Sequence, residues 1–159
     1  MNRDIVFRCE DGEESVPFNV IRMSKMLVDI LEDTPEGAIP IQSYASRALV
    51  RTLAAFCKIH NYIPNEDPAY YQDNPPSDEE LDLLLPLADK DHCEFLRLVK
   101  LADYLQNDTL MLCCFRILFE VAKPKTEKQI RALLCIDSSV PMLTIAEKQA
   151  ILQGASFVF

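Results

Sequence analysis

The chain has 159 residues, of which 49% are hydrophobic, and its 16 basic and 25 acidic residues give a formal net charge of −9. This length fits one domain with a packed core, and the negative charge argues against phosphate backbones and anionic lipid surfaces as partners. No apolar run reaches the roughly 20 residues that span a bilayer, and the start of the chain lacks the features of a secretory signal. We therefore expect a cytoplasmic and nuclear protein with no direct nucleic-acid or membrane partner.

Residues 1–60 predict a β-β-α-β-α module. Asp11 and Gly12 form a hairpin signal between two extended stretches, and Pro17 places the second strand at a sheet edge. Ser24 is a candidate cap for a short helix, which an extended piece and an amphipathic helix follow. The inward face of that second helix contains Leu49, Val50, Leu53, Phe56 and Cys57.

The next segment, about residues 61–90, changes character. Four prolines lie among acidic and tyrosine residues, which is typical of an irregular and mobile connection. Its apolar end, "ELDLLLPLAD", is expected to dock the connection on the body. Helices dominate afterwards, with Asp91 and Asp108 as the expected caps of the next two.

The helix predicted from Thr109 to Lys123 is the most informative segment. Its only interior polar residues are Arg116, Glu120 and Lys123, so nearly all of its remaining circumference requires burial. The β-β-α-β-α module covers one side, and a second layer has to cover the other. We expect the helices that follow in the chain to supply this layer.

Two short helices with capping boxes complete the chain. Thr126 with Gln129 and Thr144 with Glu147 match the box pattern, and each is followed by an apolar face. Isolated helices of this length are marginal in water and need a surface to pack on. We therefore divide the chain into a domain over 1–123 and a helical extension over 124–159 whose excess apolar surface a partner completes.

The cysteines and glycines offer no evidence for catalysis. Cys57 and His60 with His92 and Cys93 could supply four zinc ligands, but the second pair lacks ligand spacing and packing is the favoured interpretation. No catalytic or phosphate-binding motif occurs, so we expect no cofactor, no metal and no enzymatic activity. Five of the six cysteines lie in apolar stretches and are expected to be reduced core residues. These five are Cys9, Cys57, Cys113, Cys114 and Cys135.

The order of these pieces resembles one known family. The stretch "FLRLVKLADYLQNDTLMLCCFRILFEVAKPKTEKQIRALLCI" resembles the carboxyl half of the Skp-like adaptors of SCF ubiquitin ligases. "DIVFRCEDGEE" resembles the first hairpin of these adaptors, and "IPIQSYASRALVRTLAAFCKIHN" their third strand and the following helix. The resemblance covers nearly the whole chain in the same order.

The resemblance implies a BTB/POZ-like fold of mixed α and β structure with an added helical extension. It also implies a non-catalytic adaptor that links F-box proteins to a cullin. Asp103, in place of the family's usual asparagine, and Tyr104 fall at the cullin-binding position. The residues that fall in the F-box-binding region are Leu112, Phe115, Arg116, Phe119, Ile130, Leu133, Leu134, Ile145 and Ile151.

Two alternatives remain at this point. A BTB-type protein could self-associate, as a homodimer without its partner or as a kinetochore-type scaffold with no ligase role. Elongin C-like adaptors are the nearer alternative, but they end after the long apolar helix, whereas this chain continues with two capped helices.

Overall fold

A computed structural model describes residues 3–33, 37–41, 44–136, 144–147 and 149–150. Its elements in chain order are β1 (Asp4–Cys9), β2 (Gly12–Pro17), a 3-10 helix (Phe18–Met23), α1 (Lys25–Asp33), β3 (Ile39–Pro40), α2 (Arg47–Ile59), α3 (Tyr70–Asp73), α4 (Asp78–Lys90), α5 (His92–Tyr104), α6 (Asp108–Ala122) and α7 (Glu127–Leu133). The predicted mixed α and β class is confirmed, and the module over residues 1–60 has the predicted order apart from the additional 3-10 helix.

The three-stranded sheet is built on the predicted hairpin. β1 and β2 are antiparallel up to Cys9 opposite Gly12, whose φ of +131° favours glycine. β3 pairs with β1 in parallel, with Phe7 opposite Ile39. The strand order is β2-β1-β3, so Pro17 lies in an edge strand, as the sequence predicts.

One hydrophobic core joins the sheet to the helices. α2 packs against β2, α4 and α5, while α6 packs against α3, α4 and α5. Among the described residues, the largest fully buried side chains come from the strands, the helices and the residues next to them. They are Phe7, Phe56, Phe95, Leu27, Ile41, Leu49, Leu53, Leu84, Leu98, Leu101, Leu105 and Leu110.

The prediction of an irregular connection over 61–90 is wrong for much of that segment. Residues 70–73 and 78–90 are helical, and Leu84 and Ala88 of α4 belong to the core. Ser77 caps α4, since its side chain accepts a hydrogen bond of 3.2 Å from the backbone N–H of Glu80. The local abundance of proline and acid misled the prediction, because tertiary burial decides the structure of this segment.

The helix caps agree with the sequence at most positions. Ser24 and Asp91 accept hydrogen bonds from Leu27 and Glu94, as expected of N-caps. Asp108 was the expected cap of α6, but Asn107 performs this role, and its Oδ1 accepts from the Leu110 N–H at 3.1 Å. The predicted cap is therefore wrong by one position, because Asp108 is the first residue of the helix.

Candidate partner-binding surfaces

The long helix α6 has two apolar faces with different surroundings. Its buried residues are Thr109, Leu110, Cys113, Cys114 and Ile117, which lie toward the core. Leu112, Phe115 and Phe119 recur at spacings of three and four on the opposite face. Leu112 and Phe115 are half-buried, and Phe119 is 40% exposed. Thus α6 has a second apolar face, whose exposure is greatest near its carboxyl end.

α3 and α4 supply part of the cover that α6 requires. Both helices pack on α6, and Arg116 fixes the arrangement by donating from Nη1 to the carbonyl oxygens of Tyr71 and Gln72 at 2.9 and 3.0 Å. The same guanidinium pairs with Glu120, with Nη2 3.0 Å from Oε1. Arg116, predicted as a partner contact, is therefore engaged with the body of the protein.

Leu112 lies beside a cavity as well as on the second face of α6. The cavity has a volume of about 660 Å³ and is also lined by Val28, Pro64 and Met111. Lys25 and Asp108, whose Nζ and Oδ2 atoms are 3.6 Å apart, belong to the same lining. The lining combines apolar side chains with both charges, so it does not favour one class of ligand.

α7 is a short helix with defined ends. Thr126 and Gln129 form the predicted capping box, in which the Thr126 N–H donates to Gln129 Oε1 at 2.9 Å and the Gln129 N–H to Thr126 Oγ1 at 3.3 Å. At its carboxyl end, the Ile136 N–H donates to the Arg131 carbonyl at 2.9 Å, and Cys135 has a φ of +56°. This is a Schellman motif with cysteine at the position that usually holds glycine.

The partner-contact residues predicted in α7 and beyond differ in exposure. Leu133 is buried, Ile130 is half-buried, and Leu134 is exposed. Ile145, 77% exposed, follows the second capping box, where the Glu147 N–H donates to Thr144 Oγ1 at 3.2 Å. Ile151 lies outside the described residues.

A disulfide joins the turn after α7 to the beginning of α5. It links Cys93 and Cys135, whose Cα atoms are 6.3 Å apart, within the usual range for such a bond. Both residues are exposed, so the prediction that Cys135 is a reduced core residue is wrong. The helix ends at Leu133, and the left-handed backbone that follows turns Cys135 away from the apolar face.

The other four cysteines are buried and carry free thiols, as predicted. Burial raises the pKa of the Cys57 thiol to about 12, although hydrogen bonding to Asn107 and to the backbone opposes the shift. Burial also raises the pKa of Cys113 and Cys114. These thiols remain protonated and serve as small core residues.

A buried polar cluster lies between α4 and α6. Glu80 Oε2 accepts from the Tyr71 hydroxyl and the Cys113 thiol, each at 2.9 Å, and Glu80 Oε1 is 3.5 Å from His60 Nε2. Burial would raise the pKa of Glu80, but interactions with His60, Cys113 and Tyr71 outweigh it and lower the pKa. The carboxylate therefore remains charged and organises the partners that surround it.

The predicted cullin-binding position is an aromatic surface at the end of α5. Asp103 is exposed, and the half-buried Tyr104 ring stacks on Tyr44, with centroids 4.2 Å apart and planes inclined by 13°. Tyr44 is 39% exposed and was missed by the sequence analysis. The residue lies just before α2 and has no periodic pattern around it, so only the tertiary fold brings it to Tyr104.

No protein-family model matches the chain, and no curated protein shows significant sequence similarity to it. Among the described residues, no three His, Cys, Asp or Glu side chains are grouped in a way that could hold a metal ion. In the same parts of the chain, every helix is too short or too polar to cross a membrane. The geometry and the sequence pattern therefore carry the functional interpretation.

Proposed function

We propose that this chain is a non-catalytic, Skp-like adaptor with a BTB/POZ-like fold that links F-box proteins to a cullin in an SCF-type ubiquitin ligase. In this proposal the second face of α6 and the exposed side of α7 bind F-box helices. The aromatic surface at the end of α5 binds the cullin. Both assignments rest on the sequence resemblance together with the positions of the side chains.

The supporting observation is the concentration of exposed apolar side chains near the carboxyl end of the chain. Within the described parts of the chain, eight large hydrophobic residues are exposed, and four of them lie from the end of α6 onward. These four are Phe119, Leu134, Ile136 and Ile145. The proposal places these four in one exposed apolar patch, which is typical of a protein interaction site, whereas isolated exposed apolar residues are common on any surface.

The form of the surface suggests how the partner binds. Phe119 continues the row begun by Leu112 and Phe115 along one helix, and α7 follows α6 after a short polar connection. Such a row accommodates an amphipathic helix, which inserts its own apolar side chains at helical spacing. An F-box segment composed of helices fits this requirement, and a few aromatic and aliphatic anchors would contribute most of the binding energy.

Isothermal titration of the full chain with a purified F-box segment tests the proposal. Phe119→Asp and Leu134→Asp place a charge on exposed positions of the surface, and we expect each to weaken binding at least about tenfold, or ~1.4 kcal/mol. Ile63→Asp is the matched control, because Ile63 is also exposed but lies after α2. Unchanged affinity of both surface variants would refute the F-box assignment.

The cullin assignment needs a separate measurement. Tyr104→Ala removes one ring of the stacked pair and Tyr44→Ala the other, and we expect both to weaken cullin binding while F-box binding remains unchanged. Equal cullin binding by wild type and both variants would refute the assignment. A stable homodimer in sedimentation experiments that persists when an F-box segment is added would favour the self-associating alternative.

A further inference from the structure

Among the described residues, α7 packs little on the other helices and strands. Among the seven residues of α7, all of them described, only Leu133 is buried. The capping box forms at the start of α7, and Arg131 Nε lies 3.7 Å from Glu127 Oε1, one turn away on the same helix. The Cys93–Cys135 bond, in contrast, connects the end of α7 to α5, across a sequence separation of 42 residues.

Two properties distinguish Cys93 and Cys135 from the other cysteines. They form the bonded pair, and both residues are exposed, whereas the other four thiols are buried. In addition, Cys135 adopts the left-handed conformation in the Schellman motif. A non-glycine residue in this conformation costs roughly 1–2 kcal/mol. Glycine would avoid this cost, but only cysteine can form the bond to Cys93 at this position.

We propose that Cys93 and Cys135 form a reversible dithiol–disulfide site, here called the α7 clamp, whose oxidation fixes α7 on the body of the protein. The oxidant is a small-molecule disulfide of the glutathione type, and the reductant is the corresponding thiol. Because α7 contains part of the proposed F-box surface, oxidation would regulate partner binding. That consequence rests on the proposed function, whereas the clamping of α7 does not.

The oxidation proceeds by two exchange steps. The thiolate of one cysteine attacks a sulfur of the small disulfide, forms a mixed disulfide, and releases one small thiolate. The thiolate of the second cysteine then attacks the protein sulfur of this mixed disulfide and releases the other small thiolate. The two protein sulfurs together lose two electrons, the small disulfide gains them, and the two cysteine protons leave on the small thiols. In a reducing compartment the open dithiol is therefore the resting form.

Hydrogen exchange of the full chain tests the α7 clamp without any partner. The protein is equilibrated with oxidised or reduced glutathione, the linkage is verified by peptide mapping, and the exchange of the α7 amides is followed by mass spectrometry. In the wild type we expect exchange over 127–133 to be at least about tenfold slower in the oxidised form. α2, which lies in the core, should exchange equally in both forms.

Two variants abolish the disulfide, each by replacing one of its two cysteines. Cys93→Ser leaves the sequence of α7 intact, and Cys135→Ser changes the residue in the left-handed conformation. Both are expected to show the fast α7 exchange in either buffer. The α7 clamp is refuted if the oxidised wild type contains no Cys93–Cys135 linkage, or if α7 exchanges at the same rate with and without it.

Titration with the F-box segment separates this inference from the proposed function. We expect the oxidised wild type to bind roughly tenfold more tightly than the reduced form, since an ordered α7 lowers the entropic cost of binding. Failure of the segment to bind either form refutes the proposed function, and the exchange data alone then decide the α7 clamp. Equal binding of both forms with redox-independent α7 exchange refutes the α7 clamp and leaves the proposed function in place.

Discussion

The substitution Glu80→Ala tests whether the buried polar cluster holds α4 against α6. Glu80 is the shared acceptor of the cluster, and its removal leaves the Tyr71 hydroxyl and the Cys113 thiol without the carboxylate that each contacts at 2.9 Å. His60 also loses the carboxylate that lies 3.5 Å from its Nε2. Tyr71 is buried and Cys113 fully so, hence water cannot readily replace the lost acceptor.

The expected loss of stability follows from these contacts. A buried donor left without a partner costs about 1–3 kcal/mol, and the hydroxyl contributes more than the weakly donating thiol. Taking ~2 kcal/mol for Tyr71 and ~1 kcal/mol for Cys113 and His60 together gives a destabilisation of ~3 kcal/mol. For a chain of this size, such a loss lowers the melting temperature by roughly 6–12 °C.

Urea denaturation at neutral pH measures this loss. Glu79→Ala is the matched control, because Glu79 is an exposed acid in the same first turn of α4, and its removal alters the net charge and the helix dipole equally. Tyr71→Phe should cost less in the Glu80→Ala background than in the wild type, since the hydroxyl has already lost its acceptor. Equal stability of the two alanine variants, or strict additivity of Tyr71→Phe, would refute the role assigned to Glu80.

The remaining predictions concern pH and two local contacts. The pKa of Glu80 is lowered in the folded state, so the charged carboxylate stabilises the fold at neutral pH, and this stabilisation is lost as the pH falls below about 4.5. The denaturation curves of the wild type and Glu80→Gln should therefore converge at low pH. Arg116→Ala removes the donor to the Tyr71 and Gln72 carbonyls. We expect faster hydrogen exchange in α3, whereas exposed Lys123→Ala should leave it unchanged. Thr126→Ala abolishes the capping box and should destabilise α7 by about 1 kcal/mol, seen as faster exchange of its amides with little change in global unfolding.

Local signals in the sequence predicted much of the secondary structure. Asp11-Gly12, Ser24 and the box of Thr126 with Gln129 each involve residues within a few positions of one another, so their hydrogen bonds are formed by the segment that contains the signal. The shift of the α6 cap from Asp108 to Asn107 is of the same local kind, because both side chains are good caps and only geometry selects one.

The errors arose where distant residues determine the structure. In α4, proline and acidic residues dominate the local pattern, yet Glu80 is buried because Tyr71, Cys113 and His60 surround it. A prediction from the local sequence places an acidic residue at the surface, because the local sequence contains no information about partners elsewhere in the chain. The same reasoning applies to Cys135 and to Tyr44, whose partners are far away in the sequence.

The burial of α6 connects these errors with the proposed function. The apolar circumference of the helix predicted two layers, one from the β-β-α-β-α module and one from the segments after α6, but the elements that pack most on α6 are α3, α4 and α5. α3 and α4 already pack on this helix, and Arg116 holds α3 in place. The apolar surface that remains is therefore narrower than expected and lies toward Phe119 and Leu134. A partner that binds this protein as an F-box receptor should consequently depend more strongly on these two exposed residues than on the half-buried Leu112 and Phe115.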